Sequence, residues 1–232
     1  MHPDHPDLDL GSLLGLARVA LTLTTLVFAL ATLRHLARGE GTRPVVVVVV
    51  GVAALAIATS LAPSRVQLVL LPGGVFVGLA LALSSLAHEP TRRAFDALDD
   101  GAIRALLGYR ATFGAFLVAG AALGVFPPIF AWTAGLGDLL VTWLAHLAPG
   151  SLARDGARLP RLVVHGVGLL DLAEVVIVAM TIVRPWLFAR LEHDPTFFGP
   201  PLALPWLGVP LMLALNLHGL RALRAHASGV AA

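Results

Sequence analysis

Three acids, Asp138, Asp171 and Glu174, stand deep inside apolar stretches long enough to cross a bilayer. A carboxylate at the centre of a transmembrane helix costs roughly 2.5–3.5 kcal/mol on insertion scales, and three cost on the order of 7–10 kcal/mol. Packing, pairing or protonation must offset that. Acids in such places bind a cation, relay protons or hold a ligand. Asp138 closes the run Gly135-Leu136-Gly137-Asp138. On a 3.6-residue period Gly135, Asp138, Thr142 and His146 share one face, with Trp132 and Trp143 pointing elsewhere. Asp171 and Glu174 share a stripe with Val164, Gly168 and Val178, and His165 lies about a third of a turn away. Arg110 is the nearest counter-ion, and Asn216 and His218 sit in the inner third of the last apolar run.

The expected ligand or ion pathway therefore comprises Asp138, Asp171, Glu174, Arg110, Thr142, His165, Asn216 and His218. The competing reading makes the acids helix-to-helix glue, paired with Arg110 or with an Asn or His. No catalytic residue is expected, with Asp138 and Asp171 as the alternative pair. No cofactor is expected; a b-type haem held by His165 and His218 is the alternative. No metal site is expected. The tail residues His2, Asp4, His5 and Asp7 have ligand chemistry but read as a solvated arm. Pro72-Gly73-Gly74 reads either as a broken helix lining a site or as a packing kink. Phosphate-loop, zinc-protease and nucleophile-elbow motifs do not occur.

Composition says what solvent positions these residues. The chain has 232 residues, 57% hydrophobic and 13% charged, and a mean hydropathy of +0.85. A soluble domain carries roughly 25% charged residues, so the natural solvent is a bilayer. All 16 basic side chains counted as Lys or Arg are Arg. They lie scattered at the ends of apolar runs, so the pI near 10.3 does not signal nucleic-acid binding. With no Cys, disulfides, thiolate chemistry and Cys-ligated metals are excluded. The acidic amino terminus lacks the basic region of a secretory signal, and no cleavage is expected.

Breaks at charged or Pro/Gly-rich segments predict an all-α integral membrane protein, one polytopic domain over residues 1–232. Its seven spans are about 12–37, 44–62, 66–88, 103–125, 128–148, 161–184 and 202–222. The run Val45 to Val50 resembles a strand but must be helical in lipid, where an open strand edge stays unsatisfied. An amphipathic segment over 90–101 should lie on the membrane surface. Orientation follows from arginine. With the amino terminus outside, the cytoplasmic side holds Arg34, Arg38, Arg43, Arg92, Arg93, Arg104, Arg110, Arg154, Arg158, Arg161, Arg221 and Arg224. Only Arg18, Arg65, Arg184 and Arg190 fall on the other side, as the positive-inside rule requires. The carboxyl terminus is then cytoplasmic, in a bacterial inner membrane. No strong internal repeat supports an inverted-repeat transporter.

Two resemblances follow from the motifs. From Gly108 to Leu223 the chain resembles a group of small, uncharacterised bacterial multi-pass membrane proteins. It does so through Gly108-Tyr109-Arg110, Gly135-Leu136-Gly137-Asp138, Gly168-Leu169-Leu170-Asp171 and Leu204-Pro205. Val164-His165 departs from that pattern, which has a Trp-Asn pair there. The Gly-x-Gly-Asp element also resembles the intramembrane aspartyl proteases, which implies Asp138 as one of two catalytic acids. In that family the other Asp comes earlier in the chain, and Leu202-Ala203-Leu204-Pro205 only loosely echoes the Pro-Ala-Leu motif. The expected function is a non-catalytic membrane protein with a cation, proton or small-ligand pathway between spans 4 and 7. Its alternatives are a structural subunit of a larger membrane complex and the aspartyl protease. The lipid bilayer is the expected partner, joined by other membrane subunits in the structural reading; nucleic acid is not.

Overall fold

Backbone polar groups in hydrocarbon must be satisfied within their own segment, so the apolar runs fold as helices. The computed structural model describes residues 10–38, 41–60, 62–124, 126–146, 158–193 and 204–227, and every regular element among them is helical. The helices are α1 (Leu10–Leu36), α2 (Arg43–Ser60), α3 (Ser64–Ala87), α4 (Glu89–Asp96), α5 (Asp100–Ala122), α6 (Pro128–His146), α7 (Arg158–Val178), α8 (Arg184–His193) and α9 (Val209–Ala227). The valine run lies in α2 and is helical. Six stretches are long and apolar enough to cross a membrane. The seventh expected span is α2, whose apolar stretch Arg43–Thr59 falls just short of that length.

Large apolar side chains face outward, among them Leu170 at 73% and Phe76 at 70% exposure. In water such faces would be aggregation sites; in lipid they are the solvated surface. The last span is the centre of the bundle, with 67% of its residues buried against 22–39% in the others. It packs on α7 and α3, while α5, α6 and α7 pack in series beside it. In α3, Gly74 and Gly78 receive Trp206 and Pro210, whose side chains leave no room for a methyl group on either glycine. Pro72-Gly73-Gly74 is thus a packing feature of a continuous helix, not a break lining a site.

Two other expectations change. The sixth span does not end at residue 184 but runs helically from Leu159 to His193. Pro185 should have ended it, because its ring meets the carbonyl four residues back. The chain instead widens into a π turn over Ala179–Val183, and Arg184 N–H bonds to the Ala179 carbonyl. A second π turn, Leu204–Gly208, stands the same distance before Pro210. The amphipathic segment 90–101 is shorter than expected, since α4 stops at Asp96. Asp99 caps the next helix, its carboxylate accepting from Ala102 N–H at 2.6 Å. Residues His2, Asp4, His5, Asp7, Arg154, Leu202 and Ala203 lie outside the described residues.

Candidate functional site

Glycine sets the spacing of the three helices that carry the charges. A Cβ on Gly114 of α5 would fall 2.6 Å from the Gly135 carbonyl, and one on Gly135 would fall 2.8 Å from Val118. Helices α5 and α6 therefore touch backbone to backbone. Two residues on, the Asp171 carboxylate of α7 lies directly over Gly137, where any side chain would overlap it. Each residue of the Gly-Leu-Gly-Asp run has its place. Gly135 admits α5, Leu136 faces outward at 53% exposure, Gly137 admits Asp171, and Asp138 supplies charge.

Arg110 stands at the centre of this crossing with 0% exposure. Its Nε donates to Asp138 Oδ1 at 2.7 Å, and its Nη2 donates to Asp171 Oδ2. Nη1 points to the Gly168 carbonyl at 3.5 Å. Arg110 lies about 15 Å along α5 from Asp100, and Asp138 about 15 Å along α6 from Pro128, so the triad sits near mid-depth. The sequence-based placement of Arg110 among the loop arginines is thereby corrected. It is not a loop residue, and the arginine alternation rests on the others.

Thr142 joins the margin of the site. Its hydroxyl reaches the Asp138 carbonyl at 3.0 Å and the Leu107 carbonyl at 3.4 Å, across to α5. His146 continues that face but is exposed, its ring over Gly108. Glu174 does not reach Arg110. It is half-buried one turn away, where its carboxylate meets the Thr133 hydroxyl at 2.6 Å. Thr133 lies one turn before Gly137 on α6; a lone Thr in an apolar helix gives little sign of such a role, since it can satisfy itself on its own backbone.

A second polar centre lies toward the α4 end. Asn216 Nδ2 donates to the Met212 carbonyl at 2.9 Å, which leaves its Oδ1 to accept from His165 Nδ1 at 3.1 Å. Helices α7 and α9 come close enough for this because Gly168 faces the Asn216 amide and Gly219 lies under the His165 ring. His218 is separate. Its Nε2 meets Ser85 at 3.0 Å, and its ring stacks on Phe95 with centroids 4.2 Å apart and planes 6° from parallel. His165 and His218 border one cavity of about 110 Å³, well below the roughly 300–1,000 Å³ of sites for drug-sized ligands. A porphyrin does not fit between them as they stand. Among the described residues no group of three or more metal-ligating side chains occurs.

Outward apolar faces, six helices of spanning length and an ion-paired centre around a buried arginine define a polytopic helical membrane protein. The chain belongs to the DUF8737 family, a domain of unknown function, which matches residues 65–224. That match includes all of the polar residues above and reaches back through α3, although the sequence resemblance drew nothing from the first three spans. No curated protein and no solved structure matches the chain.

Proposed function

We propose that this chain is a non-catalytic membrane component that takes up and releases a proton at the Arg110–Asp138–Asp171 triad. The observation that supports this is the count of charges: two carboxylates meet one buried guanidinium. One carboxylate would neutralise Arg110. The second leaves a surplus negative charge in a medium where even the insertion scale charges roughly 2.5–3.5 kcal/mol for it. One proton, exchanged between the two acids, makes the cluster neutral; a small monovalent cation is the alternative occupant. An aspartyl protease needs its two carboxylates to share a proton directly. Here the guanidinium bridges them instead, which favours the non-catalytic reading.

The placement that goes with this function is a seven-span bundle, α2 included, with the amino terminus outside and the carboxyl terminus cytoplasmic in a bacterial inner membrane. The test is proton uptake by reconstituted vesicles containing a pH-sensitive dye, driven by a potassium diffusion potential. Uptake by the parent should exceed the leak of protein-free vesicles, and Asp138→Asn and Asp171→Asn should each return it to that leak. Parent vesicles no leakier than protein-free ones, under both signs of potential, would overturn the proposal.

A structural reading has its own support, since Arg110 ties α5, α6 and α7 together through three side-chain contacts. It predicts instead that each single Asn variant loses stability and that Arg110→Gln partly restores it.

A further inference from the structure

We infer that the cavity bordered by His165, His218, Arg161 and Asp96 is a water-filled vestibule through which the triad exchanges protons with the α4 side of the bundle. This rests on the proton reading of the triad and adds the route to it.

Hydrogen-bond logic at His218 carries the inference. The Ser85 hydroxyl donates to the Ala82 carbonyl at 2.6 Å, so its oxygen accepts from His218 Nε2–H. That leaves His218 Nδ1 as a lone pair. His218 is 2% exposed, and this nitrogen has no hydrogen-bond partner among the described residues. A buried polar atom without a partner marks a missing group, most simply an ordered water. His165 stands on the same wall, its Nδ1 against Asn216 Oδ1 and its ring over Gly219. Gly219 borders the same cavity.

What fits there is set by size and charge. Arg161 on the wall disfavours a metal cation, and about 110 Å³ is too small for an ordinary organic ligand. Roughly 10–15 Å³ of such volume suffices for one water, so several fit. The mouth has a polar latch in the Asp96–Arg221 pair, 2.7 Å, which joins α4 to α9 and is partly exposed. Phe95 closes the other side, and beyond it lies a larger cavity of about 280 Å³ whose walls include Val49, Leu207 and Leu211. Helix α7 carries both the cavity wall and an acid of the triad. His165 stands six residues, about 9 Å, before Asp171. Between them Gly168 touches Asn216 on one side and turns its carbonyl to Arg110 on the other.

Radiolytic hydroxyl-radical footprinting in lipid nanodiscs tests for the water without any transport assay. Leu215 and Leu223, both buried and both bordering the vestibule, should be oxidised above background. Leu187 and Leu191, equally buried in a packed apolar cluster with Leu68 and Val183, should remain at background. Oxidation of the first pair no faster than the second overturns the vestibule. In the vesicle assay His165→Gln, which can still donate to Asn216 but removes the titratable ring from the vestibule wall, should lower uptake; unchanged uptake overturns the route. Dry leucines with acid-dependent uptake would sink this inference alone, whereas wet leucines with no uptake in the parent would sink the proton function while leaving the water in place.

Discussion

Two polar centres lie on one helix, two turns apart, and they are built on opposite terms. At the triad glycine brings α5, α6 and α7 so close that Asp138 and Asp171 both close on the guanidinium, with their side chains 10% and 6% exposed. At the histidine centre the side-chain hydrogen bonds are neutral, Phe95 stacks on His218, and among the described residues a His218 nitrogen stays without a partner beside a cavity. The first is a close-packed site of ionisable groups; the second has room for solvent. A proton pathway needs both kinds, a store that water cannot flood and a port that it can reach.

The contrast breaks first at the charges. Replacing both acids at once, Asp138→Asn with Asp171→Asn, strands a buried arginine and should cost about 3–5 kcal/mol, read by thermal unfolding in detergent. Either single change leaves one carboxylate for Arg110 and should cost only a small part of that. Next comes the glycine that admits the second acid: Gly137→Val must push Asp171 off Arg110, an overpacking that should lower stability by roughly 1–3 kcal/mol. The same substitution should abolish vesicle proton uptake.

At the neutral centre Asn216→Leu removes the acceptor of His165 and should cost roughly 1–3 kcal/mol in the same unfolding measurement. Its effect should add to that of Gly137→Val if the two centres are energetically separate; a marked departure from additivity would show that they form one network. The smallest effect belongs to Glu174→Gln. An amide still bonds Thr133, so stability should stay within about 0.5 kcal/mol and uptake should persist. Loss of uptake there would bring Glu174 into the pathway.

Much of this arrangement is legible in residue types. Acids in apolar runs mark an interior, and the period of 3.6 places Asp138 and Thr142 on one face and Asp171 with Gly168 on another. The helix boundaries follow the breaks except where local geometry overrides them, at the π turn that carries α7 past Pro185 and at Asp99, which caps α5. Arg110 is legible as the counter-ion of the acids, although its position also counts it with the cytoplasmic arginines; that both carboxylates, delivered by α6 and α7, close on it at once is not visible beforehand. Ser85 and Thr133 are likewise invisible beforehand, since their value lies in partners on other helices. Glu174 shows the converse: a shared stripe with Asp171 does not bring it to the same counter-ion one turn away.

The central claim is that the triad holds one proton, and infrared difference spectroscopy of the carboxyl stretch tests it most directly. In a Glu174→Gln background, which removes the neighbouring acid, the protein at neutral pH should show one protonated-carboxyl band. That band should vanish in Asp138→Asn and equally in Asp171→Asn, because either change leaves a single carboxylate paired with Arg110. Absence of the band in the background protein, or its persistence in both Asn variants, would contradict the account.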